Sequence, residues 1–360
     1  MLVIAGCQQD GIGGFYPKAE APIPERLVKV MKSKGMAKSS PIMIRIYKQE
    51  SALEVWKAKD TGRYDLLETY EICKWSGRLG PKFKEGDRQA PEGFYTINPY
   101  QMNPNSDYHL SFNIGFPNAY DRALGRTGTH LMVHGACSSA GCYSMTDEKI
   151  EEIYTLAREA FKGGQTNFQV QAYPFRMSPE NMATHKDSEH FEFWKMLKEG
   201  SDYFEITKVP PKVDICDKRY VFNRLADEKA KFKATESCPE TTVPPSLAMA
   251  YAEKSSKDEK VFAEFLKKQA IRDAWAGKKD AGPTAAEPES SLASVAPASD
   301  ESAAANSQPV EQVAEPAATA SGDVVPVPAP NPRAQPQIVE EPKKKSFFSW
   351  LKPRRSQDQE

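Results

Sequence analysis

Apolar positions along residues 21–225 recur with two periods, and these divide the stretch into elements. Behind Pro22-Ile23-Pro24-Glu25, residues Leu27, Val28, Val30 and Met31 return at helical spacing up to Gly35, which predicts a helix closed by a glycine. Segments 41–47, 52–56 and 64–72 are rich in β-branched and aromatic residues and are separated by short polar breaks, the pattern of an antiparallel meander. Segments 94–97 and 108–114 read as further strands. In the second, Leu110, Phe112 and Ile114 share one face, and His109, Ser111 and Asn113 the other. Ile150, Ile153, Tyr154, Ala157, Ala160 and Phe161 mark a helix running to Gly163-Gly164, and 168–173 a strand. Ser178-Pro179-Glu180 is an N-cap with proline at the first helical position, opening a helical segment that carries Phe191, Trp194 and Leu197 to Gly200. Segments 76–93 and 116–128 fit neither period, and the first is expected to border a cleft. The fold class expected is mixed α+β: a mainly antiparallel β-sheet or sandwich with packed helices, followed by a disordered C-terminal tail.

Composition sets the boundaries of that domain. Residues 226–280 lose apolar content but keep helical patches (Tyr251, Val261, Phe262, Phe265, Leu266) and read as a helical appendage. Residues 281–342 are Ala, Pro, Ser, Glu and Val without periodicity, a disordered linker that spans about 190 Å if extended. Residues 343–360 set Phe347, Phe348 and Trp350 among lysines and arginines, which suits docking on anionic lipid or on a negatively charged glycan-peptide layer, or a solvated tail. With 48 basic against 49 acidic residues and no basic patch interleaved with aromatics in the folded part, there is no electrostatic case for nucleic acid. No apolar run is long enough to span a bilayer. Residues 1–20 open on Met1-Leu-Val-Ile4-Ala5-Gly6-Cys7, which looks like the end of a lipoprotein signal lacking its basic region and most of its apolar core, with Cys7 as the lipidation candidate.

The candidate chemistry lies in Gly128-Thr-His-Leu-Met-Val-His134-Gly-Ala-Cys-Ser-Ser139-Ala-Gly141-Cys142-Tyr-Ser-Met145. The apolar run Leu131-Met132-Val133 predicts a strand ending at His134, then a tight loop, then a helix start just past Cys142. A thiol ahead of a helix N-terminus, with an imidazole delivered from a strand end, favours thiolate at neutral pH. Cys142 is thus the candidate nucleophile and His134 the base. Gly141, Ser139 and Gly135 are expected to position the loop and its oxyanion-binding N–H groups. A zinc site from His130, His134, Cys137 and Cys142 is disfavoured, because strand residues four apart are about 13 Å distant. Thiol acyl transfer requires no metal or organic cofactor.

His134-Gly135 followed by Ser139-Ala140-Gly141-Cys142 resembles the active-site signature of the murein L,D-transpeptidases, the YkuD-like catalytic domain. Residues 76–82, 86–95 and 116–121 resemble that family's YafK-type branch, and the similarity runs over roughly 40–225. Two positions depart from the more widespread signature: Ala140 stands where a histidine precedes Gly-Cys, and Ser144 where an arginine follows the cysteine.

The resemblance implies a periplasmic Gram-negative enzyme of cell-wall biogenesis and cell shape, an outer-membrane lipoprotein if Cys7-Gln8 is its acylation site. It implies attack by Cys142 on the carbonyl at the L-centre of meso-diaminopimelate in a peptidoglycan stem peptide. An amine acceptor gives a cross-link or a bond to an outer-membrane protein. Water gives hydrolysis, including release of a murein-linked lipoprotein, and a non-catalytic murein-binding tether is a third reading. Arg176, at a strand end, is a candidate partner for a substrate carboxylate or else a structural ion pair. Tyr143 and Arg88 are further candidate substrate contacts. Cys216 and Cys238 flank a strand-like 219–222 and form either a disulfide or two free thiols. Cys73, within an alternating 70–75, is expected in the core, and Cys137 is left open.

Overall fold

The computed structural model describes residues 17–280. Cys7, the 281–342 linker and the basic aromatic tail lie outside the described residues. Helix α1 (Glu25–Lys34) buries Leu27 and Met31 and ends at Gly35, whose φ of 66° supplies the left-handed turn that closes it. The meander follows as β1 (Ile42–Tyr47), β2 (Ala52–Ala58) and β3 (Tyr64–Glu71), paired antiparallel. Strand β4 (Lys74–Trp75) belongs to a second sheet, and the chain then runs without strand until β5 (Gly93–Ile97). Next come β6 (Met102–Asn103), β7 (Ser111–Asn113), α2 (Ala119–Ala123), β8 (Met132–His134) and β9 (Tyr143–Ser144). The domain continues with α3 (Asp147–Lys162), β10 (Phe168–Tyr173), α4 (Pro179–Thr184) and α5 (Phe191–Thr207). Two hairpins, β11 (Val213–Cys216) with β12 (Arg219–Phe222) and β13 (Leu225–Ala226) with β14 (Thr241–Thr242), lead to α6 (Pro245–Asp280).

The fold is the expected mixed one. One five-stranded sheet has the order β3-β2-β1-β10-β5 and the other β4-β9-β8-β7-β6. Pairing is antiparallel throughout except β1 with β10 and β8 with β9. The first sheet is covered on both faces, which is why β1 is buried along its whole length. Its Ile42, Ile44 and Ile46 join Phe112, Val133, Ile150, Ile153 and Leu156 in the core shared with the second sheet and α3. Burying each such side chain contributes roughly 1.5–3 kcal/mol. On the opposite face, Tyr47 joins Phe94, Tyr173, Trp194, Leu197 and Phe222 beneath α5.

Several expectations change. The strand foreseen at 108–114 is only three residues long, because His109 takes a φ of 68° and the Tyr108 and Leu110 carbonyls both turn to accept the Gly135 N–H. The helical segment from Ser178 is two helices, and α5 runs through Gly200 rather than stopping there. A Cβ at Gly200 would lie 2.4 Å from Phe94 and 2.5 Å from Phe222, so this glycine serves close packing and not termination. Segment 226–244 is not helical. The boundary set after residue 225 falls inside β13, and α6 packs its Leu247, Tyr251 and Phe262 onto the α5 side of the domain.

Candidate active site

Pairing in the second sheet brings the two halves of the candidate motif together. Strands β8 and β9 run parallel, with Val133 opposite Tyr143 and His134 opposite Ser144. His134 ends β8 and Cys142 immediately precedes β9, so both reach one cleft of about 720 Å³. Cys142 is followed by a strand, not by a helix. Its neighbours Tyr143 and Ser144 pair with β8 on one side and with β4 on the other, and α3 begins only at Asp147, behind its N-cap Thr146. The thiol is therefore removed from the helix N-terminus that the sequence assigned to it.

The loop between the strands is clamped at a single hydroxyl. Ser139 Oγ accepts from Cys142 N at 3.1 Å and from Gly141 N at 3.3 Å, and donates to the Cys142 carbonyl at 2.7 Å; the Ser76 hydroxyl lies 2.8 Å away. Gly141 has a φ of 137°, which side chains rarely tolerate. Gly135 donates its N–H to the Tyr108 and Leu110 carbonyls, which takes it out of any oxyanion role, and a Cβ there would sit 2.6 Å from Asp147 Oδ1. Asp147 in turn accepts the Ala136 N–H at 2.7 Å. Ser139, Gly141 and Gly135 thus hold the loop's shape through hydrogen bonds and close packing.

Cys142 is half-buried. Its sulfur accepts the Met132 N–H at 3.4 Å and its thiol faces the His130 carbonyl at 3.7 Å. Burial pushes the thiol above its ordinary value, against the pull of the Met132 N–H and the Lys82 ammonium. His134 is buried, and desolvation holds its imidazole below the ordinary value although the Gly135 carbonyl favours the charged ring. That carbonyl lies 2.7 Å from Nδ1, so Nδ1 carries the proton and Nε2 is left as the accepting nitrogen. Both shifts favour a neutral thiol and a neutral imidazole at rest, in place of the preformed thiolate expected from the sequence. The Tyr108 ring packs against the His134 ring at 4.8 Å between centroids.

The remaining candidates divide. Arg88 lines the cleft from an exposed position with a φ of 52°, on the segment that also contributes Lys82, Glu85 and Gly86. Tyr143 is fully buried with its hydroxyl on the Pro91 carbonyl at 2.6 Å and is not among the residues that line the cleft. Arg176 lies outside the cleft lining. It pairs with Glu54 at 2.7 Å and stacks over Tyr47, the structural ion pair of the two alternatives. Cys216 and Cys238 form a disulfide with Cα atoms 5.0 Å apart. A second disulfide, Cys73–Cys137, ties the loop before Cys142 to the turn entering β4; Cys73 is exposed there, not in the core, because the strand breaks at that residue as the chain changes sheets. Among the described residues no group of three or more His, Cys, Asp or Glu side chains is gathered as a metal site. Sequence reasoning missed Lys82 as a cleft residue, although a lysine in an otherwise Gly/Pro-punctuated segment bordering the site was a usable signal.

Comparison with known proteins adds to this geometry. The model of the L,D-transpeptidase catalytic domain family, YkuD, matches residues 45–171. Proteins of Escherichia coli K12 and O157:H7, each named "Putative L,D-transpeptidase YafK", are 49% identical to the chain over 185 residues, which is 51% of this chain and 75% of theirs. Among solved structures, the helical cell shape determining protein Pgp2 from Campylobacter jejuni is similar at 15% identity and a TM-score of 0.32, covering 66% of this chain and 77% of that one.

Proposed function

Since the chain belongs to the L,D-transpeptidase family with the YkuD catalytic domain, we propose that it is a periplasmic cysteine acyltransferase acting on peptidoglycan stem peptides. The observation that carries this reading is the parallel β8–β9 register, which delivers His134 and Cys142 to one cleft from adjacent strands. Cys142 attacks the carbonyl at the L-centre of meso-diaminopimelate while its proton passes to His134 Nε2. The tetrahedral adduct collapses with cleavage of the C–N bond to the terminal D-alanine, and the imidazolium returns the proton to the departing amine. The thioester is then resolved by an amine, whose proton His134 takes as the thiol leaves. The acceptor is the side-chain amine of a second diaminopimelate or of an outer-membrane protein. With burial favouring the neutral form of both groups, proton transfer accompanies attack in this reading instead of preceding it. Arg88, on the cleft rim, is a substrate contact in this reading. Two disulfides among the described residues support an oxidising compartment.

Intact-mass spectrometry of the full chain incubated with disaccharide-tetrapeptide tests the proposal. An acyl adduct that forms with loss of D-alanine, disappears in Cys142→Ala and resolves into cross-linked product when an amine is supplied is the expected result. Resolution to free acid alone, with amine present, replaces the transferase by a hydrolase. Absence of adduct and turnover on both monomeric stems and protein-linked murein leaves a binding tether.

A further inference from the structure

Lys82 is buried to 3% exposure, yet it lines the same cleft as Cys142 and His134. Its stem runs beneath Gly128, where a Cβ would come within 2.8 Å of Lys82 Cε and 3.1 Å of the Phe116 ring. The ammonium lies 5.9 Å from the centre of that ring. Gly128, at a φ of 147°, opens the very stretch that leads to His134, so the missing side chain there leaves the slot through which Lys82 reaches the site. At its tip, Nζ donates to the Lys84 carbonyl at 2.9 Å and pairs with Asp87. Asp87 also accepts the N–H groups of Phe83, Lys84 and Gln89, each at 3.0 Å. Although burial alone would raise it, the Lys82 ammonium and these N–H groups hold the Asp87 carboxyl below its usual range. The cation is fixed at both ends.

The Met132 N–H already serves the Cys142 sulfur, but none of the other N–H groups described above is free to meet the oxygen of the acyl group. The N–H groups of Gly141 and Cys142 are engaged by Ser139 Oγ, that of Gly135 by backbone carbonyls, and α3 begins too late to contribute its dipole. We propose that Lys82 takes part in the reaction electrostatically, as a fixed ammonium that stabilises the negative charge appearing on the Cys142 sulfur and on the oxygen of the acyl group it attacks. The inference rests on the acyl-transfer reading above. Besides Cys142 itself, the other charged or titratable groups lining the cleft are Glu85, Arg88, Asp107, Tyr108, His130 and His134. Glu85 is engaged by the Thr129 hydroxyl at 3.3 Å, and Arg88 and His130 are exposed. Lys82 is the cation that already offsets part of the burial cost of the Cys142 thiolate.

The test is the pH dependence of Cys142 alkylation by iodoacetamide in the full chain, read by peptide mass mapping, alongside the acyl-transfer rate. In Lys82→Gln, which keeps a donor for Asp87, the alkylation midpoint is expected to rise by about one pH unit. Acyl transfer at neutral pH is expected to fall about tenfold with it. Lys82→Arg restores both in large part. A lysine with a purely structural role would change the melting temperature without moving the midpoint. If Lys82→Gln does not fold, Lys82→Met, whose apolar stem still fills the slot under Gly128, takes its place. An unmoved midpoint in a folded neutral variant overturns the inference. Turnover that persists in Cys142→Ala overturns the acyl-transfer reading instead, so the two failures are distinguishable.

Discussion

Lys48 and Glu92, both fully buried, meet at 3.0 Å in the interior beside α5. Lys48 Nζ also donates to the carbonyls of Gly80 at 2.9 Å and Arg78 at 3.2 Å, while Glu92 accepts Gly80 N at 2.7 Å and Trp194 Nε1 at 2.9 Å. Burial pushes the Lys48 amine below its ordinary value in spite of Glu92, so the pair is held at a desolvation cost. Glu92→Ala leaves the Lys48 cation uncompensated and orphans the Gly80 and Trp194 donors. Breaking a buried pair on one side costs about 3–5 kcal/mol. For a domain of this size, at roughly 2–4 °C per kcal/mol, the melting temperature of the full chain should fall by about 10 °C. Circular dichroism melts at neutral pH measure it. Lys48→Met/Glu92→Met, which removes both charges and refills the volume, should recover at least half of the loss. A Glu92→Ala melt within about 2 °C of the parent, or a double variant as unstable as the single, would refute the reasoning.

Two further predictions concern the site. Cys73→Ser/Cys137→Ser opens a loop of sequence separation 64 and should cost about 4 kcal/mol in a denaturant titration on the chain-entropy estimate; a loss below about 1 kcal/mol would show that the bond does not constrain the unfolded chain. His134 has a folded-state pKa below its unfolded value, so the folded protein binds its proton less readily. The stability this group contributes is complete above the ordinary imidazole value and is lost as pH falls from there through the folded value. Between about pH 8 and about pH 5 the parent should lose more thermal stability than His134→Gln, and equal losses would contradict the sign.

The central meander was legible because β1, β2 and β3 are long enough for composition and breaks to speak, and the α3 stripe because it spans several turns. The cleft pair was legible from residue type and spacing around Cys142. What escaped was decided by distant partners. The two residues of β9 carry no period of their own and become a strand only between β8 and β4, so a helix start was read where a strand stands. Cys73 sits in apparent alternation, but the chain leaves one sheet there and enters the other. The fates of Arg176 and Tyr143 depended on Glu54 and on the Pro91 carbonyl, many positions away in sequence. Lys82 was hidden for the same reason: its slot is made by Gly128 and Phe116 from another loop.

Parallel neighbours are ordinarily joined by a crossover of a dozen or more residues, yet β8 and β9 are joined directly by 135–142. The span is pinned in its middle by Cys73–Cys137 and at its far end by Ser139. Such a link is fixed in length: adding or deleting one residue would slide β9 against β8 and turn its side chains to the other face. Drift at exposed positions such as Ser138 and Ala140 is cheap by comparison, since the spacing between imidazole and thiol is written in the number of residues between them more than in their identity.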